Sequence, residues 1–518
     1  MLELIDGSFL WGSDYGIVSS DPIYQSFWSD DICIYQANFV DRTFSFHLCI
    51  DMSSGPSLSF LQHSLRASSR LSAQLSTSQS KLPSLSYSPQ PLSAPALRLT
   101  NVSRHFSSSR SVMAPTNSPA SHYQYAVLGG GSGGSGAARR ASGWYGAKTA
   151  IIDNGLSGGC CVNVGCVPKK MTLNYASINE AIETGKHYGY DIKDVSQDFA
   201  SFVEKRHARI KVLNGAYESN WEKEGIDLIK GTATFISAES GKIELEIKPK
   251  DGGKPYRITA DKVCIATGSH PTKPSGIKGS EYGITSDDFF SMKHLPKKYV
   301  FVGGGYIAVE LAGVMNAIGV ETHLFIRHNT FLRKFDTMVQ DTMTQHYEDI
   351  GIHVHREHPG IKEVVQLNPG KDETDPREKK LKLIMNDGTE METNELLWAI
   401  GRAAETEDLA LDKIGMKLND TGHIIVDKYQ NTSIDGIYAI GDVTGQAELT
   451  PVAIAAGRKL GNRLFGPPEH KNDYLDYDRI PSVIFSHPEI GSIGLSESEA
   501  EKRYGKENLK VYQTKFSA

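Results

Sequence analysis

Twice in this chain a short apolar run ends in small residues spaced GxGxx(G/A), and each time a helix-like run follows. The first is YAVLGGGSGG, with Gly129, Gly131 and Gly134 at the three positions; the second is KKYVFVGGGYIAVELAG, with Gly303, Gly305 and Ala308. A strand that turns tightly into a helix gathers backbone N–H groups at the helix's positive end, where a pyrophosphate binds well. Small residues are required because the turn and the close approach leave no room for side chains. One GxGxxG is weak evidence, but here each is followed by a second strand, KTAIID and THLFIRHNTFLRKFD, so the unit is complete twice. The expected fold is α/β with two Rossmann-like dinucleotide-binding domains.

The two units differ where the second strand ends. KTAIID ends in Asp153, and an acid there can grip a ribose hydroxyl. The other strand leads to Arg327 and His328, with Arg333 just beyond and no acid. Cations at that position suit the 2′-phosphate of NADP(H), whereas an acid suits NAD(H). A solvated basic turn is the plainer alternative; the place of these cations at the cofactor end of a complete unit favours the phosphate. Two further stretches carry polar residues at strand ends: ADKVCIATGSHP, with Thr267 and Gly268, and GIYAIGDVTGQAELTPVAIAAGRKL, with Asp442. The aspartate can accept hydrogen bonds from a polyol. Thr450-Pro451 predicts a helix with Thr450 as N-cap and proline at N1, its positive end available to an electron-rich ring.

GGCCVNVGCVPKK places Cys161 and Cys166 with four residues between them and Cys160 alongside. In a regular helix such positions lie roughly 8 to 9 Å apart, beyond the ~7 Å that a disulfide spans. A bridge therefore needs irregular backbone, which Gly165 would allow. A bridge closing so short a loop is of the labile, working kind. Two buried thiols or half of a zinc site are the alternatives, although no other Cys or His pair lies nearby at ligand spacing, and no metal is expected.

Taken together, GGGSGG, GGCCVNVGCVPKK, ATGSHP, GGGYIAVELAG, IRH with the following LR, and AIGD with LTPVAIAAGRKL resemble the flavoprotein disulfide reductases, from about Tyr123 onward. Among them the likeness is to the members that reduce glutathione disulfide. Dihydrolipoamide dehydrogenases show Pro-Ser-Lys where this chain has Pro168-Lys169-Lys170, and thioredoxin reductases of high mass lack the paired Arg139-Arg140. The resemblance implies FAD in the first cradle and NADPH in the second. FAD would contact Gly129, Gly131, Ser132, Gly133, Gly134, Asp153, Cys160, Lys169, Thr267, Gly268, Asp442, Leu449 and Thr450. NADPH would contact Gly303, Gly305, Tyr306, Ile307, Ala308, Glu310, Arg327, His328, Arg333 and Gly401, with the Tyr306 ring moving aside for the nicotinamide. Cys161 and Cys166 would be the redox disulfide, Cys166 facing the flavin and Cys161 attacking glutathione disulfide. Lys169 would pair with Glu310 near the flavin. Ser132, Arg139, Tyr217 and Arg458 would hold the substrate, since guanidinium groups bind its carboxylates bidentately. The departures are Cys160 in place of threonine and Asp153 in place of glutamate.

Composition divides the ends of the chain. Residues 1–51 carry eight acids against the single basic Arg42, and no element or role is assigned to them; a mistaken extension of the gene is one reading. Residues 52–112 hold no acid, five arginines, Lys81 and many serines, the composition of a mitochondrial transit segment. Starts at Met52 and Met113 would yield mitochondrial and cytoplasmic forms. A linker (113–122), an FAD domain (123–284), an NADPH domain (285–404), a central segment completing the FAD site (405–475) and the start of an α+β interface domain (476–518) follow. In the family that last domain forms the homodimer and supplies a catalytic histidine held by glutamate. Its break after VYQTKFSA leaves a second expectation, a fragment that binds both nucleotides without turnover. His487 is expected to be structural. The net charge of −6 gives no reason to expect nucleic acid or a polybasic membrane anchor.

Overall fold

The computed structural model describes residues 35–40, 43–51 and 121–515, apart from 240 and 373. The transit-like segment and the Met113 start lie outside these residues. Two strands come from the acidic region to which the sequence assigned no element, β1 (Tyr35–Val40) and β2 (Thr43–Asp51). The signal was there: Phe44, Phe46, Leu48 and Ile50 recur at every second position, the period of a strand.

The first nucleotide unit runs from β3 (His122–Leu128) through α1 (Ser132–Arg139) to β4 (Thr149–Asp153). Two helices carry the cysteines, α2 (Gly159–Asn163) and α3 (Cys166–His187), and α4 (Phe199–Lys223) leads to β5 (Ile226–Glu239), β6 (Lys242–Pro249), β7 (Tyr256–Ile265) and β8 (Ser269–Pro271). After the short α5 (Ser286–Phe289) the second unit runs β9 (Lys298–Val302), α6 (Tyr306–Ala317), β10 (Glu321–Phe325), α7 (Thr337–Asp349), β11 (His353–His355). There follow β12 (Ile361–Asn368), β13 (Lys380–Met385), β14 (Glu390–Thr393), β15 (Glu395–Trp398), β16 (Arg402–Ala404), β17 (Ile437–Ala439) and α8 (Thr450–Phe465). The last segment holds β18 (Ser482–Ile484), β19 (Ile490–Ile493), α9 (Glu497–Tyr504) and β20 (Leu509–Lys515).

Each nucleotide unit has its own sheet. The first is ordered β17-β7-β3-β4-β5-β6, with β17 to β5 parallel; the second is a parallel sheet ordered β11-β10-β9-β15. Buried on both faces, the central strands read as apolar runs, AVL in β3 and YVF in β9. β12, β13 and β14 form an antiparallel sheet, β8 pairs with β16, and β18-β19-β1-β2-β20 make a five-stranded antiparallel sheet. β17, drawn from the 405–475 segment, pairs with β7 and so belongs to the first unit's sheet.

α1 has the sequence SGGSGAAR, a poor helix former by propensity. Packing explains it. An added Cβ at Gly457 of α8 would stand 2.5 Å from the Gly133 carbonyl, and one at Gly136 3.0 Å from that of Ile454. The two helices touch backbone to backbone, and only small residues permit it. α6 is nearly all buried from Ala308 to Met315 and forms the centre of the second unit's core with Phe301, Leu324 and Phe331. No described helix is long and apolar enough to cross a membrane.

Candidate active site

The first cradle leaves no room to spare. Gly129 has φ +105°, and an added Cβ would overlap the Ala266 carbonyl; one at Gly134 would overlap the Gly129 carbonyl. The Asp153 carboxylate accepts hydrogen bonds from the backbone N–H of Gly130 (3.0 Å) and of Gly155 (2.8 Å), so it orders the turn itself. α1, α6 and α8 begin at Gly131, Gly305 and Leu449 with no side chain capping their first N–H groups. By contrast α4, α7 and α9 are capped by Asp198, Asp336 and Ser496. Uncapped N–H groups at the cradles leave donors for an anion, so the residues present fit a dinucleotide pyrophosphate.

The cysteine turn lies on this cradle. Gly159, at φ +65°, approaches so closely that its Cβ would meet Gly131 Cα at 2.6 Å. The irregular backbone expected between the cysteines falls at Val164 and Gly165, between α2 and α3. Gly165 serves there by close approach rather than by positive φ, since at φ −139° its Cβ would stand 2.9 Å from the Cys160 carbonyl. Cys161 and Cys166 stand as thiols hydrogen-bonded to each other. That bond draws Cys166 below the usual thiol range, helped against burial by the Thr450 hydroxyl and the charge of Lys169, and it pushes Cys161 up. Thr450 is the first residue of α8 rather than its N-cap, which is Leu449. Its side chain turns from the helix to Cys166, with Oγ1 3.4 Å from the sulfur.

Lys169 Nζ lies 3.0 Å from Glu310 Oε1, joining the cysteine helix α3 to α6 of the second cradle. Glu310 is buried and also accepts from the backbone N–H of Phe485 at 2.7 Å, while Lys169 Nζ sits 4.0 Å from the Phe485 ring centroid. Cys160, Cys166 and Tyr306 are open to solvent although protein surrounds them on most sides, which makes them walls of a cleft. Those surroundings push Cys160 up to about 11. On the same wall Arg402 donates to Ser269 Oγ (2.8 Å) and reaches Cys160 Sγ (3.7 Å), and Ser269 Oγ donates to Asp442 (2.9 Å). Thr267 donates to the Glu405 carbonyl at 2.6 Å.

In the second unit Gly303 has φ +144° against Ala399, and among the described residues nothing lies within 4 Å of the Cβ that Gly305 would bear. Arg327, His328 and Arg333 are exposed beyond β10, with Arg333 donating to His328 Nε2 at 2.7 Å. Neither arginine has an acidic partner among the described residues. A cavity of ≈ 260 Å³ opens at the carboxyl ends of β9, β10 and β15, lined in part by Val302, Ile326, Arg327, Trp398 and Ile400. This is where the strand order reverses, the crevice in which α/β sheets bind ligands. Gly401, at φ +145°, follows the lining residue Ile400 in the chain.

Of the residues expected to hold substrate, Tyr217 lies within electrostatic reach of both Cys161 and Arg139, and packs edge-on against Trp221 at 5.7 Å. Ser132 opens α1 and Arg458 is exposed on α8. Arg139 is not poised free: it clasps Glu224 bidentately, Nε to Oε2 at 2.9 Å. Arg402, Phe485 and Glu224 escaped the sequence reading because each is a single residue with no spacing pattern. His487 is buried, with Nδ1 2.9 Å from Glu180.

Residues 123–457 match the family model for pyridine nucleotide-disulphide oxidoreductases, and 480–518 match that family's dimerisation domain. The chain is 47% identical over 403 residues to the glutathione reductase of Yarrowia lipolytica, covering 77% of this chain and 83% of that protein. It is 46% identical over 397 residues to the glutathione reductase of Schizosaccharomyces pombe (76% and 82%) and 42% identical over 417 residues to that of Debaryomyces hansenii (76% and 83%).

Proposed function

Because this chain belongs to the pyridine nucleotide-disulphide oxidoreductases, we propose that it is an NADPH-dependent glutathione-disulfide reductase that uses FAD. One observation carries the reading: the hydrogen-bonded Cys161 and Cys166 stand on the first cradle at Gly159, while Lys169, three residues past Cys166, pairs with Glu310 on the helix that opens the second. When bound, FAD supplies the two-electron relay between NADPH and the cysteine pair. The chain's own groups do the rest. Cys166 is the thiol held as thiolate beside the relay, stabilised by Cys161, Thr450 and Lys169. Cys161 keeps its proton until it attacks a sulfur of glutathione disulfide; that proton leaves with the first glutathione as the S–S bond breaks, and Cys166 then attacks the mixed disulfide at Cys161, expelling the second glutathione as the Cys161–Cys166 bond forms. The Cys161–Cys166 disulfide is the oxidised state of that pair. Glu310, pinned by the Phe485 N–H, fixes the Lys169 charge where negative charge develops.

Arg139, Tyr217, Arg458 and Ser132 are the proposed contacts for the glutathione carboxylates and backbone. For Arg139 this requires exchange of Glu224 for a substrate carboxylate. Arg327, His328 and Arg333 are the proposed 2′-phosphate contacts. The match of 480–518 to a dimerisation domain supports a homodimer. The acid-free, arginine- and serine-rich 52–112 segment supports mitochondrial import, with a cytoplasmic form starting at Met113; fusion of that segment to a fluorescent protein tests it. The test of function is NADPH oxidation by flavin-loaded protein. Glutathione disulfide should support it and lipoamide or thioredoxin should not; the reverse preference would overturn the assignment.

A further inference from the structure

Away from the cleft, ligating side chains converge at the edge of the second unit's sheet. β10 and β11 run parallel with His323 opposite His353 and Phe325 opposite His355. Alternate residues of a strand share a face, so Glu321 and His323 project together from β10, as do His353 and His355 from β11. The His323 and His353 rings stack at 4.5 Å with 22° between their planes. The ligating atoms of Glu321, His323 and His353 all lie within 4.8 Å of one another. His323 is buried beneath, and Glu321 and His353 are exposed above it, so a hydrated ion has a way in.

The hydrogen bonds around His323 prepare it as a ligand. Its Nδ1 lies 2.9 Å from His355 Nε2, and its Nε2 lies 3.0 Å from Glu321 Oε1. With the proton on Nδ1 donated to His355, the Nε2 lone pair faces a carboxylate, and a cation between them satisfies both. Ligating histidines are typically fixed in this way by an acceptor on the other ring nitrogen. Lys298 also pairs with Glu321, at 2.8 Å, but it shares Oε1 with His323, and Oε2 carries no bond among the described residues.

We propose that Glu321, His323 and His353 form a binding site for a divalent transition ion, Zn²⁺ in the first place, with His355 holding His323 in the ligating tautomer. Two imidazoles and one carboxylate form a donor set that Zn²⁺ uses, and Cu²⁺ and Ni²⁺ share the preference for imidazole. The ion clips β11, three residues long at the sheet edge, onto β10. The chain beyond β11 is bonded to the loop carrying the coenzyme cations, with Glu357 N–H donating to the His328 carbonyl (3.1 Å) and His358 N–H to that of Ile326 (2.9 Å). The clip thereby steadies Arg327 and His328. Nothing in the sequence pattern announces such a site, because His323 and His353 meet only through strand pairing.

The test is calorimetric titration of the full chain with Zn²⁺, with Cys160, Cys161 and Cys166 replaced by serine so that their thiolates do not compete. One ion per chain is expected. His353→Ala, at an exposed position that leaves the core intact, should weaken binding at least tenfold, and His355→Ala about 10- to 100-fold, the usual loss for a partner behind the ligand. Zn²⁺ should raise the melting temperature of the parent and not that of His353→Ala. Co²⁺ should give a visible spectrum of a nitrogen- and oxygen-ligated ion that His353→Ala abolishes. Absence of binding in the parent, or binding that His353→Ala leaves unchanged, overturns the proposal.

Discussion

In the first cradle an added Cβ at Gly134 would run into the Gly129 carbonyl, and Gly159 of the cysteine turn presses on Gly131. In the second, the residue matching Gly134 is Ala308, whose methyl group is already packed, and Gly305 faces open space. Helix α8 closes on the first cradle through Gly133, Gly136 and Gly457, whereas among the described residues nothing lies within 4 Å of the Cβ that Gly305 would bear. The acids and bases differ in the same sense. Asp153 is spent on two backbone N–H groups, one in the glycine turn and one in its own, while Arg327 and Arg333 stand exposed without acidic partners among the described residues. The first cradle is therefore built to keep its ligand and the second to exchange one, as a resident FAD and a passing NADPH require.

The largest effect should come from filling the tight cradle. Gly134→Ala puts a methyl group against the Gly129 carbonyl, in a turn held by Asp153 and α8, so nothing nearby can give way. Overpacking of this kind costs about 1–3 kcal/mol or more, and here it falls on the ligand site. We expect purified Gly134→Ala to lose most of its flavin, read from the ratio of visible to protein absorbance, and its turnover with it. Ala308→Gly, at the matching position of the other cradle, should cost only about 1 kcal/mol of helix stability and keep its flavin. Equal flavin loss in the two variants would erase the distinction between the cradles.

Next in size is the coenzyme. Each charge-assisted contact is worth about 1.5–3 kcal/mol, or roughly tenfold to a hundredfold. Replacing Arg327 and Arg333 by neutral residues should raise the KM for NADPH by at least about a hundredfold while leaving that for NADH nearly unchanged. A matching rise for both coenzymes would mean that the arginines bind something common to the two, such as the pyrophosphate.

This contrast was readable in the sequence only in part. Glycine spacing and the residue after each second strand are local, and a local pattern survives without an alignment. What closes the first cradle is not local. Gly159 and Gly457 both lie further along the chain than α1, the second far beyond it, and a glycine in a sequence does not say what it touches. Thr450-Pro451 looked like an N-cap because that pattern is common, but the competing partner, Cys166 Sγ, comes from far earlier in the chain. Arg139 looked free because Glu224 is distant in sequence, and the Phe485 N–H on Glu310 is a backbone group that no residue pattern reveals. The alternation in β2 is legible in its sequence, although the acidic composition of residues 1–51 masks it.

A smaller, spectroscopic effect sharpens what the first cradle does to its neighbour. Cys166 is held below the usual thiol range, chiefly by the hydrogen bond from Cys161, so its thiolate should persist as pH falls below about 8.5, the ordinary thiol value. After anaerobic reduction of flavin-loaded protein, the long-wavelength absorption of a thiolate beside flavin should be fully present at pH 8.5 and fade only on acidification, with a midpoint well below that value. Cys166→Ser should abolish it and Cys160→Ser should not, because Cys160, pushed up to about 11, remains a thiol throughout. A midpoint at or above 8.5, or loss of the band in Cys160→Ser, would show that another sulfur faces the ring.

The smallest effect belongs to Gly305→Ala, and it tests the open cradle directly. Gly305 has φ −88°, which alanine adopts without strain, and among the described residues a methyl group there meets no atom within 4 Å outside its own turn. Folding should therefore be nearly indifferent to the substitution, with melting temperature and flavin content unchanged. The space is nevertheless where a pyrophosphate would approach the first turn of α6, so the methyl group should crowd the coenzyme. A penalty of about 1 kcal/mol, the low end for overpacking, corresponds to a severalfold rise in KM, and it should apply equally to NADPH and NADH because the two share the pyrophosphate. That equality separates this variant from the arginine replacements, which act on the 2′-phosphate alone. If Gly305→Ala instead lost flavin or stability as Gly134→Ala is expected to, the second cradle would be as closed as the first, and the contrast between a held and an exchanged cofactor would fail at its weaker end.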